Sequence, residues 1–270
     1  MRDFHTIRVE TRSNYLAIRL NRPDKHNAMN QIMIAELTEI FAQAARLEGV
    51  RAVVLSGEGK SFCAGADLHY MREIASFGEE ENIADGQKLA TLFDSIYTCP
   101  LPVIAVVQGM CMGGANGLIA ACDIVIADTD SSFAFSEVRL GIIPATIAPY
   151  VLRRCGEAAS RELMLTGRRF TAEEAMRFGL VNSVVRTDER KKVIAAYLKY
   201  FNEASPSAIA ECKKLIRFLG GSKLSSTELI PETARFIARA RASEDGQEGI
   251  KAFFEKRNPS WIQDQTYENQ

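Results

Sequence analysis

Much of what would send a reading of this sequence elsewhere is missing from it. Its six cysteines, Cys63, Cys99, Cys111, Cys122, Cys155 and Cys212, form no CxxC pair and fall mainly in apolar segments. That pattern fits neither a disulfide framework nor a zinc site, so they read as reduced, small apolar residues of a cytoplasmic protein, and no metal is expected. Charge of one sign is not in excess: 33 Lys+Arg face 34 Asp+Glu, a net −1, which offers no electrostatic footprint for nucleic acid. No apolar run is long enough to span a bilayer, and the opening Met1-Arg-Asp-Phe-His-Thr carries neither an apolar signal core nor an Arg/Ser-rich presequence. Low-complexity tracts and internal repeats are lacking as well.

What is there is an ordinary globular composition, 47% hydrophobic and 25% charged over 270 residues, enough for one large domain with an appendage. Tyr15 to Leu20 alternates as a strand with Leu16, Ile18 and Leu20 on one face; a weaker run near Ile7 and Val9 precedes it, suggesting an opening hairpin. After the turn signal Asn21-Arg22-Pro23-Asp24, the segment Asn30 to Arg46 places Ile34, Leu37, Phe41 and Ala44 at helical spacing. Short β-branched runs follow at Arg51 to Ser56, Pro102 to Val107 and Asp123 to Ala127, separated by helix and loop signals. A further run, Leu180 to Val185, follows a helix-like Thr171 to Phe178. Such alternation predicts an α/β sheet with crossover helices. Beyond about residue 187 helix signals take over, with Pro206 at a first turn, a break at Gly220-Gly221-Ser222 and a start at Ser243-Glu244-Asp245.

Three segments carry the chemistry. Phe62-Cys63-Ala64-Gly65-Ala66-Asp67-Leu68 follows a strand with residues small enough to let a ligand approach the backbone, although from this segment alone a plain tight loop is the stronger reading. Gln108-Gly109-Met110-Cys111-Met112-Gly113-Gly114-Ala115-Asn116-Gly117-Leu118 puts two glycines at a helix start, where N–H groups lack intrahelical acceptors and welcome an oxyanion; glycine used for close packing is the alternative. In Phe133-Ala134-Phe135-Ser136-Glu137-Val138-Arg139-Leu140-Gly141-Ile142-Ile143-Pro144, Glu137 is the one acid of an apolar passage. It reads either as a proton-exchanging carboxyl with a raised pKa or as the partner of Arg139.

In this order and separation the three segments closely resemble the crotonase (enoyl-CoA hydratase/isomerase) superfamily. The likeness also takes in Asn21-Arg22-Pro23, Thr166-Gly167, Ala172-Glu173-Glu174-Ala175, Gly179-Leu180-Val181 and Ala252-Phe253-Phe254-Glu255-Lys256-Arg257, nearly the whole chain. The resemblance implies an α/β fold: a spiral of ββα turns over residues 1–200, which binds and transforms the acyl-CoA, and a helical oligomerisation region over 201–270 that makes a homotrimer or a dimer of trimers. It implies that the backbone N–H groups of Ala66 and Gly114 grip a thioester carbonyl while Glu137 moves the proton. It further implies an adenine contact at the Ala64 carbonyl, Asp67, Leu68 and His69 along coenzyme A, Lys25 and His26 near its phosphates, and Phe253 and Lys256 reaching a neighbouring subunit's nucleotide. Coenzyme A arrives as part of the substrate, so no separate cofactor is expected.

The chain departs from the two-carboxylate hydratases of that superfamily at Gly117, where they carry a first glutamate. One carboxylate still permits three reactions: syn hydration, Δ3/Δ2 isomerisation and acyl-CoA decarboxylation. A silent CoA-ester-binding protein is the non-enzymatic alternative, against which the retention of Glu137 speaks. The Gly113 to Leu118 and Ser136 to Tyr150 stretches resemble bacterial enoyl-CoA and methylglutaconyl-CoA hydratases, which favours hydration. Arg139 and Tyr150 are candidate partners for a second acid group on such a substrate. The acyl pocket is expected to draw on Met71 to Leu89. His69 and Cys63 are left out of catalysis, the first as a loop residue along coenzyme A and the second because no histidine stands by to activate it.

Overall fold

The computed structural model describes residues 3–44 and 46–262. The chain divides into two compact units, Met1–Val193 and Ile194–Gln270. The sequence suggests a boundary at 200/201; the observed one falls earlier, inside a helix that begins at Arg190 and ends at Glu203.

The first unit opens with β1 (Ile7–Arg12) and β2 (Tyr15–Leu20), paired antiparallel with Ile7 opposite Leu20 and Val9 opposite Ile18. The period of two in β2 sends Leu16, Ile18 and Leu20 fully into the core. In α1 (Gln31–Ala44), Met33, Ile34, Leu37, Ile40, Phe41 and Ala44 recur at three- and four-residue spacing and are all buried. Next come β3 (Ala52–Gly57), α2 (Leu68–Ile74) and α3 (Glu79–Thr98).

Two complete ββα turns follow. The first is β4 (Val103–Val107), β5 (Met110–Met112) and α4 (Ala115–Ala121). The second is β6 (Ile124–Asp128), β7 (Ser132–Ala134) and α5 (Ala148–Thr166), the last two separated by a 3-10 turn over Glu137–Leu140. After them stand β8 (Arg169–Thr171), α6 (Ala172–Arg177), β9 (Ser183–Val185) and α7 (Arg190–Glu203). Each turn gives its first strand to a six-stranded sheet, ordered β1-β2-β3-β4-β6-β9 and parallel after the opening hairpin. Its second strand goes to a three-stranded sheet, β5-β7-β8. Every residue of β4 is buried, as expected of a central parallel strand covered on both faces.

The run expected at Leu180 to Val185 is a strand only from Ser183. The N–H groups of Leu180 and Val181 both turn back to the Ala175 carbonyl, at 2.9 and 3.2 Å, to close α6, and so are unavailable to the sheet. The second unit continues with α8 (Pro206–Gly221), α9 (Ser226–Ala242) and α10 (Glu244–Glu255), capped at their starts by Ser205, Ser225 and Ser243. Proline occupies the first turn of α8, and that helix runs through Gly220-Gly221 before Ser222 ends it. Among the described residues no helix is long and apolar enough to cross a membrane.

Candidate active site

The stretch after β3 and the stretch after β4 are stitched together side by side. Cys63 pairs with Cys111 in a single parallel bridge, its N–H donating to the Met110 carbonyl (3.0 Å) and its carbonyl accepting from Met112 (3.1 Å). On the other side Ala66 is bridged to Met29: the Met29 N–H donates to Gly65 (2.7 Å) and its carbonyl accepts from Asp67 (2.8 Å). A parallel bridge of that kind uses the residues flanking Ala66, so the N–H of Ala66 itself points away from Met29 and has no protein acceptor among the described residues. Gly65 is required here, because its φ of +98° is left-handed and an added β-carbon would meet the Met112 carbonyl oxygen at 2.9 Å.

Gly114 caps α4, and its N–H likewise lacks an acceptor among the described residues. The neighbouring Gly113 N–H donates to the Ala134 carbonyl (2.8 Å). The fully buried Asn116 amide reinforces that contact, donating to Gly113 (3.1 Å) and Ala134 (2.9 Å). The glycine turn is therefore pinned to the end of β7, three residues before Glu137.

Glu137 begins the 3-10 turn that follows. A β-carbon on Gly113 would lie 3.4 Å from Glu137 Oε1, which sets the carboxyl beside the Gly113-Gly114 turn. Its Oε2 is buried without a hydrogen-bond partner among the described residues. Burial raises its pKa above the ordinary carboxylate value, opposed only by its own backbone N–H. No ion pair with Arg139 forms: that side chain is exposed and packs over Gly167. Of the two readings of Glu137, the structure favours the carboxyl with a raised pKa over the ion pair.

Gly117 is more than a missing carboxylate. A β-carbon there would fall 2.3 Å from Ile147 Cγ2 and 2.7 Å from Phe93 Cζ, so the space beside it is filled with hydrocarbon. Phe93 in turn meets Tyr150 edge-on with centroids 6.1 Å apart, and Tyr150 meets Tyr97 at 5.4 Å. Burial pushes the Tyr150 phenol up to about 12. Cys63 is likewise pushed up to about 12 by burial, so it is a protonated core thiol.

A cleft of about 910 Å³ gathers Lys25, His26, Ala64, Ala66, Asp67, Leu68 and His69. The His26 carbonyl accepts from the Ala64 N–H (2.9 Å), leaving the Ala64 carbonyl without a protein donor among the described residues. His26 Nδ1 lies 3.1 Å from Ser61 Oγ. Leu68 is 76% exposed at the cleft, and His69 faces solvent beside Glu73. Asp67 has a structural task of its own. Its carboxylate takes the Arg22 guanidinium at 2.7 Å and the His69 N–H at 2.8 Å, capping α2. Burial alone would push it up, but those donors win and hold it below its ordinary pKa. Phe253 and Lys256 belong to the second unit, at the end of α10, where Phe253 is exposed and Lys256 closes the helix in a left-handed conformation.

Sequence reasoning missed several residues around this site. Met29, Asn27 and Asn116 stand in stretches whose spacing carries no sign of their hydrogen bonds. Asn27, fully buried, accepts from the Arg22 N–H and donates to the Glu58 and Ser61 carbonyls, each at 2.8 Å, holding the turn that carries Lys25 and His26. Phe93 and Ile147 reach Gly117 from 24 and 30 residues away. Only the Asn21-Arg22-Pro23 turn gave a local sign, through its proline.

The family model for enoyl-CoA hydratase/isomerase matches residues 10–265. The chain belongs to the enoyl-CoA hydratase/isomerase family. Within this crotonase superfamily, an enoyl-CoA hydratase from Shewanella pealeana has a crystal structure that superposes with a TM-score of 0.92 at 38% identity, covering 96% of each chain. Pseudomonas aeruginosa AtuE superposes at 0.91 with 35% identity over 96% of this chain and all of its own. The mevalonyl-coenzyme A hydratase sidH of Aspergillus fumigatus is 32% identical over 250 residues, 91% of this chain and 90% of that protein. The spiral of ββα turns described above is the crotonase fold.

Proposed function

We propose that this crotonase-family protein is an enoyl-CoA hydratase that adds water syn across the C2=C3 bond of an enoyl-CoA thioester. The observation that carries the reading is the Glu137 carboxyl, its Oε2 buried and unpartnered among the described residues, beside the turn whose Gly114 N–H is free; the Ala66 N–H, free as well, is on the loop bridged to the stretch leading into that turn. In this scheme the two N–H groups donate to the thioester oxygen. The Glu137 carboxylate takes a proton from water as the water oxygen bonds to C3, and the C2=C3 π pair moves to C1–C2, giving an enolate with its charge on the thioester carbonyl oxygen. The enolate then reforms the carbonyl as C2 takes the proton from the Glu137 acid, restoring the carboxylate. Losing one oxyanion donor of this kind costs about 3 to 4 kcal/mol of transition-state stabilisation.

The cleft would take the CoA portion, with the Ala64 carbonyl toward the adenine and Lys25 and His26 toward phosphates. Phe253 and Lys256 would serve a neighbouring subunit's site in a homotrimer or a dimer of trimers. The acyl group we assign is a short branched one such as 3-methylglutaconyl, with Arg139 or Tyr150 toward its second acid. One observation favours a second reading, Δ3/Δ2 isomerisation: Phe93 and Ile147 fill the space beside Gly117, leaving one carboxylate to manage any water.

The test is to incubate the protein with crotonyl-CoA, 3-methylglutaconyl-CoA and a 3-enoyl-CoA, following the conjugated thioester by ultraviolet absorbance and the product by mass. Hydration bleaches the conjugated band and adds the mass of one water. Double-bond migration without added mass would overturn the hydratase reading in favour of the isomerase, and loss of carbon dioxide would mark a decarboxylase.

A further inference from the structure

The two oxyanion donors come from different loops, and their separation must hold to a fraction of an ångström for both to reach one oxygen. Met29 is in contact with both sides. Its backbone grips the Ala66 loop through Gly65 and Asp67, at 2.7 and 2.8 Å, leaving the Ala66 N–H on the far side. Its side chain runs the other way: a β-carbon on Gly114 would sit 3.1 Å from Met29 Cε, so that methyl packs directly against the second donor's residue. Met29 is 3% exposed, and with both ends engaged it spans from one donor's loop to the other donor.

We propose that Met29 is a positioning residue that sets the spacing of the Ala66 and Gly114 N–H groups, its backbone fixing one and its thioether methyl bracing the other. The inference rests on the assignment of those groups as an oxyanion hole. It differs from ordinary core packing in what it affects. A core methionine contributes stability, whereas a brace between two donors contributes alignment, which acts on the transition state more than on substrate binding. Methionine suits the task because its long unbranched side chain reaches and conforms to a glycine surface.

The test compares Met29→Ala, Met29→Leu and, as a core cavity away from Gly114, Met33→Ala. Each is assayed for kcat and KM with crotonyl-CoA and for the ultraviolet spectrum of bound cinnamoyl-CoA, whose band moves to longer wavelength when its carbonyl is polarised by hydrogen bonds. Met29→Ala should lower kcat by about tenfold to a hundredfold, change KM by less than about threefold, and lose much of the spectral shift. Met29→Leu, which restores an apolar contact, should recover most of both. Met33→Ala should lower the melting temperature and leave kcat and the shift in place. Should Met29→Ala not fold, Met29→Val, which stops short of Gly114, answers the same question. A further check is Gly114→Ala, whose new methyl meets Met29 Cε: its defect should be relieved when combined with Met29→Ala. A Met29→Ala or Met29→Val enzyme that keeps wild-type kcat and shift overturns the proposal. If the wild-type protein itself induces no shift, the oxyanion-hole assignment fails, an outcome distinct from failure of the brace alone.

Discussion

Glu137 is held where a carboxylate is least comfortable: half-buried and, among the described residues, with one oxygen unpartnered and no cation beside it. Its raised pKa makes it a better proton acceptor and donor near neutrality, and a Glu137→Gln protein should lose about a hundredfold or more in kcat while still binding CoA esters. Steady-state kinetics with a separate binding measurement will show the split. The same shift has a cost with a definite sign. The folded state binds the Glu137 proton more tightly than the unfolded chain does, so ionisation destabilises the fold as pH rises from the ordinary value of 4.5 through the raised one. Glu137→Gln should therefore melt higher than the parent at pH 8, with the difference shrinking towards pH 4. Glycine-to-glutamate at position 117, which would restore the two-carboxylate pattern on paper, drives a side chain into Phe93 and Ile147 and buries a charge in hydrocarbon. Gly117→Glu should destabilise the protein by about 3 kcal/mol or more in denaturant melts and yield no faster hydratase.

Among the elements, α2 is anchored at its start by a single carboxylate. Asp67 follows Ala66 directly, and its carboxylate caps α2 while pairing with Arg22, whose guanidinium also holds the Ala28 carbonyl at 2.6 Å. One side chain thus ties the Ala66 loop, the helix after it and the turn before α1. Tyr70, in the first turn of α2, extends the tie to α3 through a 2.6 Å hydrogen bond to Asp85. Removing the Asp67 carboxylate in Asp67→Ala costs the cap and leaves Arg22 uncompensated, about 2 to 4 kcal/mol together. Because the folded pKa of Asp67 is depressed, this stabilisation is present above the ordinary aspartate range and is lost as pH falls through the folded value. Wild type and variant should differ most at neutral pH and converge in acid, as thermal melts across pH will show.

At the scale of the whole molecule, the second unit leaves large apolar side chains in solvent. Ile216, Ile230 and Ile237 are 63, 67 and 49% exposed, and Phe253 and Phe254 are 79 and 77% exposed. Contiguous exposed apolar surface marks interaction sites, and the Phe253 and Phe254 rings lie together with centroids 5.8 Å apart. Self-association as a homotrimer or a dimer of trimers, proposed above, would cover them, so sedimentation should give three or six times the chain mass. Changing Phe253 and Phe254 together to Ser should shift the protein toward smaller species. A monomeric wild-type protein at micromolar concentration would remove that proposal.

How far each part was legible follows from the range of the forces involved. Periodicity is local, so β2, α1, β3, β4, β6 and the helical second unit could be read from residue spacing. Strands of three residues, β5, β7 and β8, are too short to show a period and emerged only as partners of one another. Glu137 stands out as a lone acid in apolar sequence and Gly114 as a glycine at a helix start, whereas Ala66 was named only through the resemblance to the crotonase superfamily. The sequence by itself thus determined the alternation of strands and helices and, through its resemblance, the family and the groups proposed for the chemistry. Only the tertiary structure decided that Glu137 has no counter-ion among the described residues, that Met29 touches both the Ala66 loop and Gly114, and that Phe93 and Ile147 occupy the space beside Gly117. Those are contacts between residues far apart in the chain, and they exist only once packing has brought the chain together.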